Sequence, residues 1–347
     1  MNVLVINNAA PFIRGGAEEL ADELVRRLNA TKGITAELLR VPFRWEPAEC
    51  IAEQILLNRS LQLYQVDRVI GLKFPAYLIP HSCKVLWLLH QFRQAYDLYE
   101  SGLSHLRGHK AGERIAQLIR NADNQCFREC RAIYTLSSVT QSRLRKFNGF
   151  DSTVLTQPLV DGELFTGGEY GDYVFAGGRV GPGKRQHLLI EAMRYAKTPF
   201  RLVVAGPPDE AAYTGRLEEL VAKYDLEDRV ELRLGFHSRH AIAKLVNHAL
   251  ACAYLPIDED SLGYVTMEAF CAGKAVIAAE DSGGVLELVH DAETGFIAPA
   301  DPENLAGRLE RLVSDRTKTI AMGLAAKSLL NTKNLSWDAT VDRLLSD

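Results

Sequence analysis

Asp260 and Glu268 frame the segment Asp260-Ser-Leu-Gly-Tyr-Val-Thr-Met-Glu268, which runs on into Ala-Phe-Cys-Ala-Gly-Lys-Ala-Val-Ile277. The spacing puts two carboxylates across a glycine-containing loop and the start of a helix. Glu268 sits inside an apolar helical pattern with Val265, Ala269, Phe270 and Ala272, and a β-type run from Ala275 to Ala279 follows at once. A carboxylate in the first turns of such a helix can hold a sugar hydroxyl, and the loop amides before it can meet an anion. The plainer alternative makes Glu268 a surface residue of an amphipathic helix.

A second anion-binding signal lies upstream in Tyr173-Val-Phe-Ala-Gly-Gly-Arg-Val-Gly-Pro-Gly-Lys-Arg-Gln-His-Leu-Leu-Ile-Glu-Ala192. A β-type run ends in a glycine-rich loop carrying Arg179 and Lys184, and an apolar helical pattern begins after it. Glycine permits close backbone approach, and two cations can share one diphosphate. Gly178 to Lys184 also fits Gly-x4-Gly-Lys, the core of a phosphate-binding loop of ATPases. That loop needs Ser or Thr next, to hold magnesium. Arg185 stands there and cannot be a metal ligand. Asp258-Glu259-Asp260 is the one Asp-x-Asp match, and it overlaps the carboxylate loop.

These segments, taken in order, resemble the retaining family 4 glycosyltransferases (glycosyl transferases group 1). The resemblance rests on Gly178-Arg179 with Lys184, Asp260-x7-Glu268-Ala269, Gly283-Gly284-Val-Leu-Glu287 and Thr294-Gly295-Phe296. In the first half it rests on Arg14-Gly15-Gly16-Ala17-Glu18 after the first strand and His90 after a later one. It covers nearly the whole chain. One departure is Asp260, where the family usually has Glu.

The elements that must carry these motifs alternate between β-type runs and helical patterns, which points to parallel sheets with crossover helices. In the first half, Val3–Asn7, Val69–Gly71, Val85–Leu89 and Ile133–Leu136 read as strands, and 17–28 and 112–130 as helices. The second half restarts at Tyr173 and runs through strands at 202–205, 230–234, 251–255 and 275–279. Each half is a doubly wound α/β sheet, and every motif falls at a strand-to-helix junction, beyond the carboxyl end of a strand where such sheets bind ligands. Turn residues crowd the stretch between Gly149 and Asp172. The expected division is a Rossmann-like domain over 1–155 and a second over 156–329. A last helix, about 330–347 and containing Trp337, returns to the first. The resemblance implies a GT-B architecture, with the two domains facing each other across a cleft.

Composition agrees with a globular chain. The 347 residues are 47% hydrophobic and 24% charged, which excludes a disordered class, and no apolar run approaches the roughly 18 residues that span a bilayer. The N-terminus reads as a first strand rather than a signal peptide. Six cysteines include no Cys-x-x-Cys pair, which suits a reducing, cytoplasmic setting. Residues 1–150 hold 20 Lys and Arg against 14 Asp and Glu, although the chain as a whole carries a net charge of −4. The excess is read either as a solvated helical face or as attraction to an anionic membrane or a phosphate-bearing acceptor, giving a peripheral contact with the inner face of a membrane. Nucleic acid is not an expected partner.

The resemblance also implies roles. Arg179 and Lys184 would meet the donor diphosphate, with Gly178 in the same loop. Glu268 would hold the ribose, and Asp260 would lie near the donor sugar, Glu259 being its alternative. Ser261, Leu262, Gly263 and Tyr264 would bring backbone amides to that sugar, and His237 would lie beside the base. Gly15 and Gly16 would approach the phosphates, His90 would touch the donor sugar, and Arg93, Tyr96 and Asp97 would line the acceptor side. No metal and no other cofactor is expected. The expected partners are a nucleoside-diphosphate sugar, UDP-linked before GDP-mannose, and a glycan or lipid-linked acceptor. The alternatives are a P-loop phosphotransferase and a non-catalytic nucleotide-sugar-binding module.

Overall fold

The computed structural model describes residues 1–12 and 15–346. Arg14 of the first-half motif lies outside them. Two compact units divide the chain: Met1–Val160 with Ser336–Asp347, and Asp161–Leu335.

The first unit is a six-stranded parallel sheet of β1 (Asn2–Ala9), β2 (Thr35–Pro42), β3 (Arg68–Gly71), β4 (Lys84–Leu88), β5 (Ala132–Thr135) and β6 (Thr153–Val154). Its order is β2-β1-β3-β4-β5-β6. The central strands β3 and β4 are buried along their whole length, as strands covered by helices on both faces must be. The helix Gly16–Ala30 buries Leu20, Leu24 and Leu28 on one face of the sheet, and the helix Gly112–Glu129 buries Ile115, Ile119 and Phe127 on the other.

That second face contains a buried carboxyl. Asp123 accepts hydrogen bonds from the hydroxyls of Tyr77 (2.9 Å) and Tyr96 (2.7 Å), and burial pushes its pKa up to about 7. Tyr96 is therefore a core residue, 0% exposed, and the expectation that it lines an acceptor surface is corrected. Asn148 donates to the Tyr96 hydroxyl and accepts from the Gln91 side chain. This polar chain ties the segment after β4, which carries His90, to the middle of the unit.

The helix Trp337–Leu345 completes the first unit. Trp337, Val341 and Leu344 are buried in the same cluster as Val5, Leu24 and Trp87. The Trp337 ring meets Trp87 edge-on at 6.5 Å, and the Arg27 guanidinium lies over it at 5.9 Å. Arg68, itself buried, donates to the carbonyls of Leu344 and Ser346 at 3.0 Å each. Removing the indole leaves a large cavity in an otherwise filled core. Trp337→Ala is therefore expected to destabilise this unit by about 3–5 kcal/mol, measured as a lowered urea midpoint of its unfolding transition.

The second unit is another parallel sheet: β7 (Tyr173–Gly177), β8 (Arg201–Gly206), β9 (Val230–Leu234), β10 (Ala251–Ala253), β11 (Ala275–Ala279) and β12 (Gly295–Ala298). Its order is β12-β11-β10-β7-β8-β9. Both sheets reverse strand order at an interior position, between β1 and β3 and between β10 and β7, and such switch points open crevices at the carboxyl ends of the strands.

Among the elements outside the sequence reading are β2, β6, β12 and the helices Cys50–Ser60, Ser138–Asn148, Pro302–Ser314 and Arg316–Thr332. β6 has only two residues and both are exposed. β2 is an edge strand with a mixed burial pattern. β12 hides behind the Thr294-Gly295 motif, where a Cβ on Gly295 would fall 1.9 Å from the Val276 carbonyl oxygen. That glycine serves strand contact.

Candidate functional site

The loop after β7 is shaped by two glycines. Gly178 takes φ +93°, and Gly206 at the end of β8 takes φ +152°. A Cβ on Gly206 would stand 1.8 Å from the Gly178 carbonyl oxygen, so the two loops can lie against each other only with glycine there. The backbones then pair: the Val180 amide donates to the Pro207 carbonyl and the Asp209 amide to the Val180 carbonyl. Asp209 thereby stands beside Arg179, whose guanidinium donates to its carboxylate at 2.9 Å.

Lys184 closes the short 3₁₀ turn Pro182–Lys184. Its ammonium is bonded to the carboxylate of Glu259, and it donates to the Tyr254 hydroxyl at 2.9 Å. Tyr254 in turn donates to Glu259 at 2.7 Å. Burial, followed by the Glu259 charge, holds the Tyr254 phenol well above its ordinary pKa, so it remains a neutral donor. Lys184 thus bridges to Glu259 rather than to Asp260, although sequence position favours Asp260 as the carboxylate of the site. Asp258 adopts φ +49°, and the turn it makes presents Glu259 to the lysine.

Arg185, which disqualifies the loop as a magnesium-binding P-loop, has a definite task. It sits at φ +56° and donates through both terminal nitrogens to Asp281, and also to the carbonyls of Leu255 and Pro256. Its guanidinium fastens the loops after β7, β10 and β11 together and holds the Asp281 carboxyl below the usual carboxylate range.

Gly283 and Gly284 support the carboxylate loop from behind. A Cβ on Gly283 would meet Glu259 backbone atoms at 2.5 Å, and one on Gly284 the Ser261 carbonyl oxygen at 2.5 Å. The Gly284 amide donates to the Glu259 carbonyl. In the loop itself, Gly263 has φ +75° and lies where a Cβ would collide with the Tyr254 ring at 2.6 Å. Its amide donates to the Ser261 hydroxyl, and Leu262 is a buried packing residue.

Glu268 lies on the eight-residue helix Tyr264–Cys271 and is buried, 4% exposed, so it is not a surface residue of an amphipathic helix. Its carboxylate accepts from Arg239 at 2.6 Å. Arg239 begins the helix Arg239–Asn247, which Ser238 caps, and its guanidinium lies 5.0 Å above the Phe165 ring. Sequence reasoning missed Arg239, Tyr254 and Asp209. A lone basic residue at a helix start carries no signal that it faces a glutamate in another element. His237 hangs from the loop after β9 and is bonded to the Arg233 carbonyl at 2.8 Å.

In the first unit, Gly15 precedes the helix Gly16–Ala30, and its amide donates to the Glu18 carboxylate at 2.9 Å. His90 follows β4 and borders a cavity of about 260 Å³ with Phe43, Trp45, Phe74 and Phe92. Arg93 and Asp97 form an ion pair at 2.6 Å. The second unit therefore places two ion pairs, Arg179 with Asp209 and Lys184 with Glu259, on loops at the carboxyl ends of its strands. Paired cations of this kind can exchange a carboxylate for a diphosphate.

Residues 169–329 match the family model of glycosyl transferases group 1. A GDP-mannose-dependent alpha-(1-6)-phosphatidylinositol monomannoside mannosyltransferase of Mycobacterium tuberculosis is 23% identical over 99% of this chain and 96% of its own length. A D-inositol 3-phosphate glycosyltransferase of Stackebrandtia nassauensis is 30% identical over 56% of this chain, and the chain spans 48% of that relative. Among the first curated relatives the matched share of their length runs from about a third to just over a half. The solved structure of Anabaena Alr3699/HepE, in complex with UDP and glucose, superposes with a TM-score of 0.73 over 99% of this chain and 98% of its own, at 19% identity. That likeness places the two sheets in the GT-B fold.

Proposed function

We infer that this chain, which belongs to the group 1 glycosyltransferases, moves a sugar from a nucleoside-diphosphate sugar to a glycan or lipid-linked acceptor, with retention and without a metal ion. The observation that carries this reading is the pairing of Arg179 with Asp209 and of Lys184 with Glu259 at the end of the second sheet. A departing diphosphate develops negative charge as the anomeric bond breaks, and fixed cations aimed at it lower the barrier. Two cations held by carboxylates on a glycine-shaped loop are positioned before the ligand arrives and give up those partners to it.

In the proposed reaction the acceptor oxygen bonds to the anomeric carbon on the face from which the diphosphate leaves. The bond from that carbon to the phosphate oxygen breaks, and the acceptor proton passes to the departing phosphate. Arg179 and Lys184 hold the diphosphate, Glu268 accepts from the ribose, and Glu259 or Asp260 faces the sugar. His90 belongs to the acceptor-bearing unit. Among the described residues no helix is long and apolar enough to cross a membrane.

UDP is the donor nucleotide we carry forward. The mycobacterial relative is named for GDP-mannose and the Anabaena structure holds UDP, so base identity is the first measurement. Calorimetric titration with UDP, GDP and ADP, each with and without excess EDTA, is expected to give one preferred base with unchanged affinity in the chelator. Binding and turnover abolished by EDTA and restored by magnesium would favour the phosphotransferase reading. Binding of a nucleotide sugar with neither transfer nor hydrolysis would favour a non-catalytic module.

A further inference from the structure

The loop that carries Arg179 spends much of its backbone internally. The Val180 amide donates to the Pro207 carbonyl, and the Lys184 and Arg185 amides turn back onto the Gly181 carbonyl at 2.9 and 3.3 Å. The Gly181 amide donates to the Gln186 side chain at 3.3 Å, and Pro182 has no N–H to offer. An anion at this loop therefore depends on the side chains of Arg179 and Lys184, and their aim depends on how the loop is held. Gln186 opens the helix Gln186–Met193 and is 2% exposed. Its Nε2 donates to the Arg179 carbonyl at 2.9 Å while its Oε1 accepts from Gly181. The two ends of this amide cannot be exchanged, because a carbonyl faces one and an N–H the other. Tyr213, buried on the helix Ala211–Lys223, stands behind it. The Tyr213 hydroxyl lies 3.5 Å from Gln186 Oε1 and 2.9 Å from His187 Nδ1, and accepts from the His187 amide at 3.1 Å. Burial, with Arg216 and Arg185 nearby, lowers the His187 pKa to about 4, so its ring is neutral and Nδ1 can accept from the hydroxyl.

We propose that Gln186 is a positioning residue for donor binding: its side-chain amide fixes the backbone on both sides of Val180 so that the Arg179 guanidinium stands where the diphosphate arrives, and Tyr213 fixes that amide. The assignment rests on the glycosyltransferase reading above and adds two residues outside the motifs that carry it. The tip of Arg179 is paired with Asp209 at 2.9 Å, and the diphosphate has to take the place of that carboxylate. The exchange leaves the hold of Gln186 on the Arg179 carbonyl as it was, so the long side chain swings from a fixed base and less ordering remains to be done on binding. An apolar residue at 186 would leave the buried Gly181 N–H and the Arg179 carbonyl without these partners. The loop would relieve that by turning both groups toward water, which moves the base of Arg179. A residue that merely stabilised the unit would lower stability without regard to which side chain stands at 179.

The test is a double-mutant cycle of Gln186→Met and Arg179→Ala in the full chain, read by calorimetric titration with UDP and, in parallel, GDP. Gln186→Met is expected to weaken nucleoside-diphosphate binding about tenfold or more when Arg179 is present, and less than about threefold when residue 179 is already alanine. Gln186→Glu keeps the acceptor for Gly181 but turns an oxygen toward the Arg179 carbonyl, and should weaken binding as much. Tyr213→Phe keeps the ring in the core and removes the hydroxyl, and should give a smaller loss that likewise depends on Arg179. Urea unfolding of each variant identifies the chains that are folded. If Gln186→Met does not fold, Gln186→Glu and Tyr213→Phe carry the same cycle. Equal losses in both backgrounds, or no loss from the Gln186 variants, overturn the assignment. Binding lost in Arg179→Ala but kept in the Gln186 variants sinks the positioning role alone. Unchanged binding in Arg179→Ala, or a parent chain that binds neither nucleotide, overturns the reading of this loop as the diphosphate site and the positioning role with it.

Discussion

Lys184→Ala is expected to lower kcat/KM by about a hundredfold or more, the loss that follows removal of one fixed donor to a developing oxyanion, about 3–4 kcal/mol. The fold should persist, because Lys184 sits on a turn and its ion pair with Glu259 is 26% and 18% exposed on the two sides. Its partners sharpen the test. Glu259 and Tyr254 hold the ammonium in place, so a nucleoside diphosphate must displace a carboxylate to reach it. Glu259→Gln removes that competitor and is expected to tighten nucleoside-diphosphate binding severalfold while slowing transfer if the carboxylate also faces the sugar. Steady-state kinetics beside calorimetry read the two effects separately. Unaltered kinetics in Lys184→Ala would remove the residue from the site.

Glu268→Ala is expected to act on donor binding and on stability together. The alanine loses the acceptor for a ribose hydroxyl and also leaves the Arg239 guanidinium without the carboxylate 2.6 Å away. Breaking a buried pair on one side costs about 3–5 kcal/mol, and the 26% exposure of Arg239 places this case at the low end. The apparent KM for donor should rise tenfold or more and the melting temperature should fall. Glu268→Gln keeps one accepting oxygen for Arg239 and should suffer less in both. The double variant Glu268→Gln, Arg239→Met separates the roles. If nucleotide affinity in both single variants equals that of the parent chain, Glu268 is an anchor for Arg239 alone.

The parts of the site legible in the sequence were those that glycine makes legible. Gly178 and Gly263 mark places where the backbone turns left-handed or two segments touch, and such places leave a pattern of residue types. The partners of the two cations left none. Asp258, Glu259 and Asp260 differ little as letters, and only the turn at Asp258 decides which of them meets Lys184. Arg239 reaches Glu268 from a separate helix, a pairing fixed by the packing of helices around the sheet and not by any local periodicity. The aromatic cavity is assembled from β1 and the segments after β2, β3 and β4, so no single stretch of sequence announces it. The sheets were readable because central parallel strands are continuous apolar runs. β2 and β6 were not, since β2 carries a mixed burial pattern around Glu37 and Arg40 and β6 is two exposed residues.

The helix Trp337–Leu345 supplies three side chains to a core whose other members come from the first 160 residues. That arrangement fixes an order of events at the ribosome. The second unit is contiguous, 161–335, and has all its own strands and helices once those residues have emerged. The first unit is synthesised earlier, yet it must wait with Trp87 and Leu24 uncovered until residues 337–345 follow, at about 5–20 residues per second. For that interval of several seconds or more, the older half of the nascent chain is the one that exposes apolar surface to chaperones, and the younger half is the one that can already be complete.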